Sequence, residues 1–277
     1  MKKINMVGGG FQHDICSSAL NKNKFVEWDK SGSSNISVHI DNGLRFTVDN
    51  SKKNYGWLAE SSSIIPNFIN DVVSNIDSYK EKFELIFTHD KRIHEKDPEF
   101  FKLCIPNALP WIQNKKIYEK TKSCSIIVSN KNFTSGHNFR LNALNQLPKD
   151  KIDHFGRGFQ KELPWSINQN GIEESGKLSA LQDYRFSFAF ENDNYENIFC
   201  EKITDCFATG TIPIFWGTPS IGDFFDINGI VIFDDNFDFN KLDLDFYVSK
   251  LDSIKNNFEI CKTLLSAEDF IYKNYIE

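Results

Sequence analysis

Short apolar runs alternate along this chain with longer amphipathic stretches. The short runs predict strands at Ile4–Val7, Ser37–Ile40, Arg45–Val48, Trp57–Ala59, Leu85–Thr88, Ser125–Ser129, Arg185–Phe190, Ile212–Trp216 and Ile230–Phe233. The longer stretches predict helices at Ile64–Lys82, Phe139–Leu147, Glu201–Ala208 and across much of Asp243–Tyr275. Strand–helix alternation of this kind implies an α/β protein with parallel sheets.

The alternation breaks and restarts. A polar stretch from His89 to Thr121, with prolines at positions 98, 106 and 110, separates two α/β sets. A boundary near residues 112–123 follows, with an N-terminal domain over 1–120 and a C-terminal domain over 121–277. Parallel sheets bind ligands at the carboxyl ends of their strands, so two such domains predict a ligand cleft between them.

Composition narrows the function. The 277 residues are 40% apolar and 25% charged, enough for a packed core without disulfides. The net charge is −6 and no basic run is long, which argues against nucleic acid as a partner. No apolar stretch approaches the ~18 residues of a membrane span, and no apolar segment follows the first two lysines. A cytoplasmic protein is expected, and peripheral contact with a membrane stays compatible with the sequence. The six cysteines are scattered without a CxxC pair, as reduced thiols would be. His89, His94, Glu95 and Asp97 match no zinc spacing and read as a solvated loop.

The chemistry is sought at the strand ends. "GGGFQHD" follows the first strand without matching a P-loop or a dinucleotide fingerprint. It reads as a tight turn, with His13 as a candidate cleft-lining residue. Glu60 follows Trp57–Ala59, where it is either a charge beside a serine-capped helix or a general base at a strand end. Arg140 lies in the first turns of a helix that starts at Ser135 or Gly136, and Lys202 lies in the first turn of another. Both cations oppose the helix dipole, which makes sense where an anion is bound. Two such cations point to a diphosphate, and the nearby carboxylates point to sugar hydroxyls.

The stretch "DYRFSFAFENDNYENIFCEKITDCFATGTIPIFWGTPSIGDFF", residues 183–225, resembles the donor-binding signature of glycosyltransferase family 10, the α-1,3/1,4-fucosyltransferases. The matching parts are Tyr184-Arg185-Phe186, Phe190-Glu191-Asn192, Glu201-Lys202, Ala208, and Pro213 to Gly217. "IIVSNKN", "IDHFGRG", "WLAESSSIIP", "FELIFTHDKRI" and "NALPWI" extend the likeness, which is strong over 124–235 and thinner before it. Three places differ from the family pattern. Ile198-Phe199-Cys200 stands where Tyr and Thr are frequent, Glu60-Ser61-Ser62 replaces Glu-Ser-Pro, and Arg185 replaces Lys.

The resemblance implies a GT-B fold, with two Rossmann-like domains, an interdomain cleft and a C-terminal helical segment. It implies inverting transfer of L-fucose from GDP-fucose to a glycan hydroxyl, with an α-1,3-type linkage. Glu60 is then the base, and Arg140 and Lys202 hold the diphosphate. Glu191, Asn192 and Glu201 contact ribose or fucose hydroxyls, and Tyr195 serves in place of the family tyrosine. A one-to-three-residue shift of alignment would set His137 in place of Arg140. The expected partners are a nucleotide sugar and a glycan acceptor. No cofactor or metal site is expected, although stimulation by a divalent metal is compatible with such a mechanism. The alternatives are a GT-B transferase using another nucleotide sugar, a binding protein with a decayed site, or an NAD-dependent oxidoreductase. The missing glycine fingerprint disfavours the last.

Overall fold

A computed structural model of the chain describes every residue except 9–15, 19, 105–107, 157–160, 162, 164, 165, 169 and 170, and the backbone alone at 166–168 and 171–173. His13 therefore lies outside the described residues. The chain forms two compact units. One comprises Met1–Asn107, Tyr195–Ile198 and Leu265–Glu277, and the other Ala108–Asn194 and Phe199–Leu264.

The first unit carries strands β1 (Lys2–Gly8), β2 (Val26–Asp29), β3 (Ile36–Ile40), β4 (Lys53–Leu58), β5 (Ile86–Thr88) and β6 (Phe101–Leu103). They form one parallel sheet in the order β2-β1-β3-β4-β5-β6. The second unit carries β7 (Lys122–Ile127), β8 (Ile152–Phe155), β9 (Ser166–Asn168), β10 (Gly171–Glu174), β11 (Tyr184–Phe190), β12 (Ile212–Trp216) and β13 (Val231–Ile232). Five of these form a second parallel sheet, β13-β12-β11-β7-β8, while β9 and β10 pair as an antiparallel hairpin. Two parallel Rossmann-like sheets are what the GT-B expectation requires. Strand β12 is apolar throughout, and β11 is apolar but for Arg185 and Ser187, because both of their faces are covered.

The helices are α1 (Pro66–Ser74), α2 (Ile76–Lys80), α3 (Lys91–His94), α4 (Ser135–Gln146), α5 (Leu178–Leu181), α6 (Glu201–Thr209), α7 (Leu244–Ser249), α8 (Leu251–Thr263) and α9 (Ala267–Ile271). The expected helix Ile64–Lys82 is two helices. It starts later because Pro66, with no N–H to leave unpaired, opens α1. It breaks at Asn75, whose side-chain amide donates to the Asp71 carbonyl at 2.9 Å. The serines at 61–63 do not cap it. The expected strand Arg45–Val48 does not form: a 3-10 turn over Asp41–Arg45 ends on its first residue, and residues 46–48 follow without regular structure. The turn's first residue, Asp41, has φ +46°. The short strands β2, β6 and β8 lack a clear apolar alternation, and the sequence reading does not find them.

The boundary expected near 112–123 falls at 107/108 instead, and the tail does not stay with the second unit. The α9 carboxylates explain why. Glu268 accepts the Ser17 amide at 2.6 Å and the Ser17 hydroxyl at 2.8 Å. Asp269 accepts the amides of Lys24 and Phe25 at 2.6 and 2.9 Å. Ala267 and Ile271 join Val26, Val38 and Trp57 in the first unit's core. These groups would be buried without partners elsewhere. α8 remains in the second unit, where the Cys261 thiol meets the Thr204 carbonyl.

Candidate donor site

In the second sheet the chain leaves β7 toward β8 on one side and reaches β11, β12 and β13 on the other. The order therefore reverses between β7 and β11, and a parallel sheet opens its ligand crevice at that point. The helices that follow these two strands, α4 and α6, carry the two cations singled out in the sequence.

α4 begins close to the end of β11. Thr134 caps it, accepting the His137 amide at 3.1 Å while the His137 ring accepts the Thr134 amide at 3.3 Å. His137 is thus part of the cap and is buried. Burial, and then the cations Arg140, Lys131 and Lys202, press its pKa down to about 4, which suits a neutral ring acting as acceptor. Gly136 donates its amide to the Asn192 carbonyl at 3.2 Å. A Cβ at Gly136 would lie 2.4 Å from the Glu191 carbonyl oxygen, so the close approach of α4 to the β11 end depends on this glycine.

Arg140, one turn further along, is 7% exposed. One terminal nitrogen, Nη2, donates to the carbonyl and hydroxyl of Ser129, both at 3.2 Å. Its Nε has no hydrogen-bond partner, and no carboxylate pairs with it among the described residues. Burial alone pushes its pKa down. A buried guanidinium without a counter-charge is costly, and a bound anion relieves that cost. Arg140 lines a pocket of about 350 Å³ together with Ser129, Trp111, Lys177, Glu201 and Lys202.

α6 supplies the other wall. Lys202 donates to Glu191 Oε2 at 2.8 Å and lies 2.7 Å from the Cys200 sulfur. Burial opposes its charge, but the Cys200 sulfur and the Glu191 carboxylate hold it well above the ordinary lysine range. Glu201 accepts from Lys177 Nζ at 2.7 Å, and Lys177 also donates to Asp205 Oδ2 at 2.8 Å while standing 4.1 Å over the Trp111 ring. Against its burial, Lys177 and then Lys202 keep the Glu201 carboxyl well below the usual range. Asp205 also accepts the amides of Trp111 and Ile112. Gly210, at φ +73°, closes the helix in the left-handed conformation.

Six sequence candidates are thus assembled in the second unit, His137 in the cap of α4 among them, though not all in the same role. Arg140, Lys202 and Glu201 line the pocket. Glu191 does not: at 2% exposed it accepts the Cys200 amide at 2.9 Å and the Lys202 ammonium, and so ties the start of α6 to the end of β11. It positions Lys202 and is closed to a sugar hydroxyl. Asn192 is half-buried beside it and fastens α4 through its carbonyl. Lys177 and Asp205 escape the sequence reading. Lys177 lies outside every motif, and Asp205 sits where a helix would ordinarily be read as carrying a surface acid.

Glu60 and Tyr195 belong to the first unit. Glu60 is exposed, just past β4. Its amide and that of Ala59 donate to Asp41 Oδ1 at 3.2 and 2.9 Å. Burial, countered in part by these amides, lifts the Asp41 pKa to about 6. Tyr195 contacts His89, Arg92 and Ser62, so its hydroxyl is engaged within the first unit. A larger groove of about 1000 Å³, beside Trp216 and Phe233, has no lysine or arginine among the described residues of its lining and is ill suited to a diphosphate. Among the described residues no helix is long and apolar enough to cross a membrane, and no three His, Cys, Asp or Glu side chains are grouped to hold a metal.

Comparison with known proteins bears on the family and the fold. Residues 117–260 match the family model "Glycosyltransferase family 10 (fucosyltransferase) C-term", which takes in β7, α4, β11 and α6. The chain is 32% identical over 114 residues to the alpha-(1,3)-fucosyltransferase FucT of Helicobacter pylori, covering 39% of this chain and 23% of that protein. It is 30% identical over 103 residues to GDP-fucose protein O-fucosyltransferase 3 of Xenopus laevis, covering 36% of this chain and 22% of that protein. The chain thus spans less than a quarter of either relative in these matches. A crystal structure of TarM superposes with a TM-score of 0.52 at 12% identity, over 87% of this chain and 54% of that one, a likeness of fold. The protein belongs to glycosyltransferase family 10, the fucosyltransferases, and has the GT-B fold.

Proposed function

We propose that the protein transfers L-fucose from GDP-fucose to a hydroxyl of a glycan, with inversion at the anomeric carbon and an α-1,3-type linkage. The observation that carries this reading is Arg140, a buried guanidinium with an unpartnered Nε and no carboxylate beside it among the described residues. Arg140 and Lys202 would hold the diphosphate, and Glu201, fixed by Lys177, would accept from a donor hydroxyl. The names of the two relatives support fucose as the sugar and, for one of them, GDP-fucose as its carrier.

In such a transfer the acceptor oxygen forms a bond to the anomeric carbon while the bond from that carbon to the phosphate oxygen breaks. The bonding electrons leave with GDP, where the two cations stabilise the growing charge. The proton of the acceptor hydroxyl passes to a carboxylate, and Glu60 is the proposed base. The Asp41 contacts hold its backbone while its side chain remains exposed. A cytoplasmic site of action belongs to the same proposal.

A thermal-shift panel of nucleotides and nucleotide sugars tests it. A ligand at a hundred times its Kd stabilises by about 2.7 kcal/mol. GDP and GDP-fucose are expected to raise the Tm, and UDP-sugars are not. Glu60→Ala should keep the GDP shift and lose turnover of GDP-fucose. A panel in which UDP-sugars stabilise and GDP does not would assign a different donor, and an active Glu60→Ala variant would remove the base.

A further inference from the structure

Tyr195 lies in the sequence between Glu191-Asn192 and Glu201-Lys202, where the family resemblance makes it a donor contact. Its surroundings in the first unit indicate another task. The ring stacks on His89, with centroids 6.0 Å apart and planes 12° from parallel. The Arg92 guanidinium lies over the ring, its central carbon 4.0 Å from the centroid. The phenolic oxygen accepts the Ser62 amide at 3.2 Å and lies 3.0 Å from His89 Nε2. The phenolic oxygen thus joins the Ser62 amide to the His89 ring, in a direction that the imidazole tautomer sets. Burial keeps His89 neutral, with its pKa near 4.

Ser62 is held from a second side. Arg92 Nη2 donates to the Ser62 hydroxyl at 2.7 Å, and Asp90 fixes that guanidinium by accepting from Nε at 2.9 Å and from Nη2 at 2.6 Å. Lys91 pairs with Glu196, next to Tyr195, at 2.9 Å. Among the described residues Glu60 itself is anchored through its own amide, to Asp41. The turn after it, Ser61–Ser63, bears no cap on α1 and precedes a helix opened by proline. The placement of Glu60 therefore depends on Asp41 before it and on the Tyr195–Arg92 clamp after it.

We propose that Tyr195 is a positioning residue: its hydroxyl and ring fix the turn that carries Glu60, and so set where the base stands. The assignment rests on the reading of Glu60 as the base. It departs from the expectation that Tyr195 touches the donor.

Tyr195→Phe keeps the ring stacking and removes only the hydroxyl. The expected result is a fall of about tenfold or more in the maximal rate of GDP release from GDP-fucose with a panel of N-acetylhexosamine-containing oligosaccharides, since small displacements of a catalytic group cost large factors. The Kd for GDP and the Tm should be unchanged, and backbone hydrogen exchange over residues 60–63 should rise. In a Glu60→Gln background, Tyr195→Phe should cause no further loss. Full turnover in Tyr195→Phe, a loss confined to GDP affinity, or losses that multiply in the double variant would each overturn the proposal. An active Glu60→Gln protein would instead overturn the reading beneath it, whichever way Tyr195→Phe behaves.

Discussion

Lys177 sets its ammonium 2.7 Å from Glu201, a residue twenty-four positions later in the chain, and bridges it to Asp205. All three side chains lie in the second unit and are largely shielded from water. Lys177 is the only cation between two carboxylates there among the described residues, so its loss leaves two buried negative charges facing each other. Lys177→Met is expected to cost about 3–5 kcal/mol of stability. Urea denaturation measures it. Lys177→Met together with Asp205→Leu should recover part of that cost, because one of the two stranded charges is then removed.

Arg140 behaves oppositely. It is buried without a counter-charge among the described residues, so removing it relieves a desolvation cost in the free protein. Arg140→Leu should leave the Tm of the free protein unchanged or raise it, by about 2–4 °C for each kcal/mol relieved. The same variant should lose the stabilisation by GDP. Differential scanning fluorimetry with and without GDP reads both effects, and a variant destabilised in both conditions would show that Arg140 serves the fold instead.

Gly136→Ala tests the approach of α4 to β11. The added methyl would meet the Glu191 carbonyl oxygen and Asn192 backbone atoms at about 2.5 Å. The backbone must move apart, at an expected cost of about 1–3 kcal/mol. Because Arg140 rides on the same helix, GDP affinity should fall as well, and calorimetric titration would measure it.

The buried histidines predict a stability profile in acid. His89 and His137 have pKa values near 4 in the folded protein against 6.5 when unfolded. Between those values the unfolded chain binds more protons, so stability falls as pH drops from 6.5 toward 4 and levels off below. Each residue contributes on the order of 2–3 kcal/mol over that window. Denaturation at pH 7.5 and 4.5 measures the loss. His137→Ala loses a helix cap at the higher pH, and its deficit relative to the parent protein should shrink at the lower one.

Much of the architecture was legible in local pattern. β11, α6 and β12 appear in the sequence nearly at their observed limits, because an apolar run covered on both faces and an amphipathic helix each announce themselves within a few residues. Arg140 and Lys202 were legible as cations at the wrong ends of helices. Strands β2, β6 and β8 were not, because a short strand takes its conformation from the neighbours it pairs with. The split helix at Asn75 turned on one side-chain hydrogen bond, which periodicity does not register.

The site divides in the same way. Sequence alone determined the chemistry available: two cations, an acid after β4, and the family to which the Asp183–Phe225 stretch belongs. Tertiary structure decided the roles. Glu191 and Glu201 look equivalent along the chain, yet one is sealed against Cys200 and Lys202 and the other lines the pocket. Lys177 and Asp205 joined the site through contacts with Glu201 and Trp111, and Tyr195 went to Ser62 and His89 in the first unit. Burial and charge pairing depend on which strands become neighbours. That is set by the sheet order β13-β12-β11-β7-β8, a long-range property that no local window of residues contains.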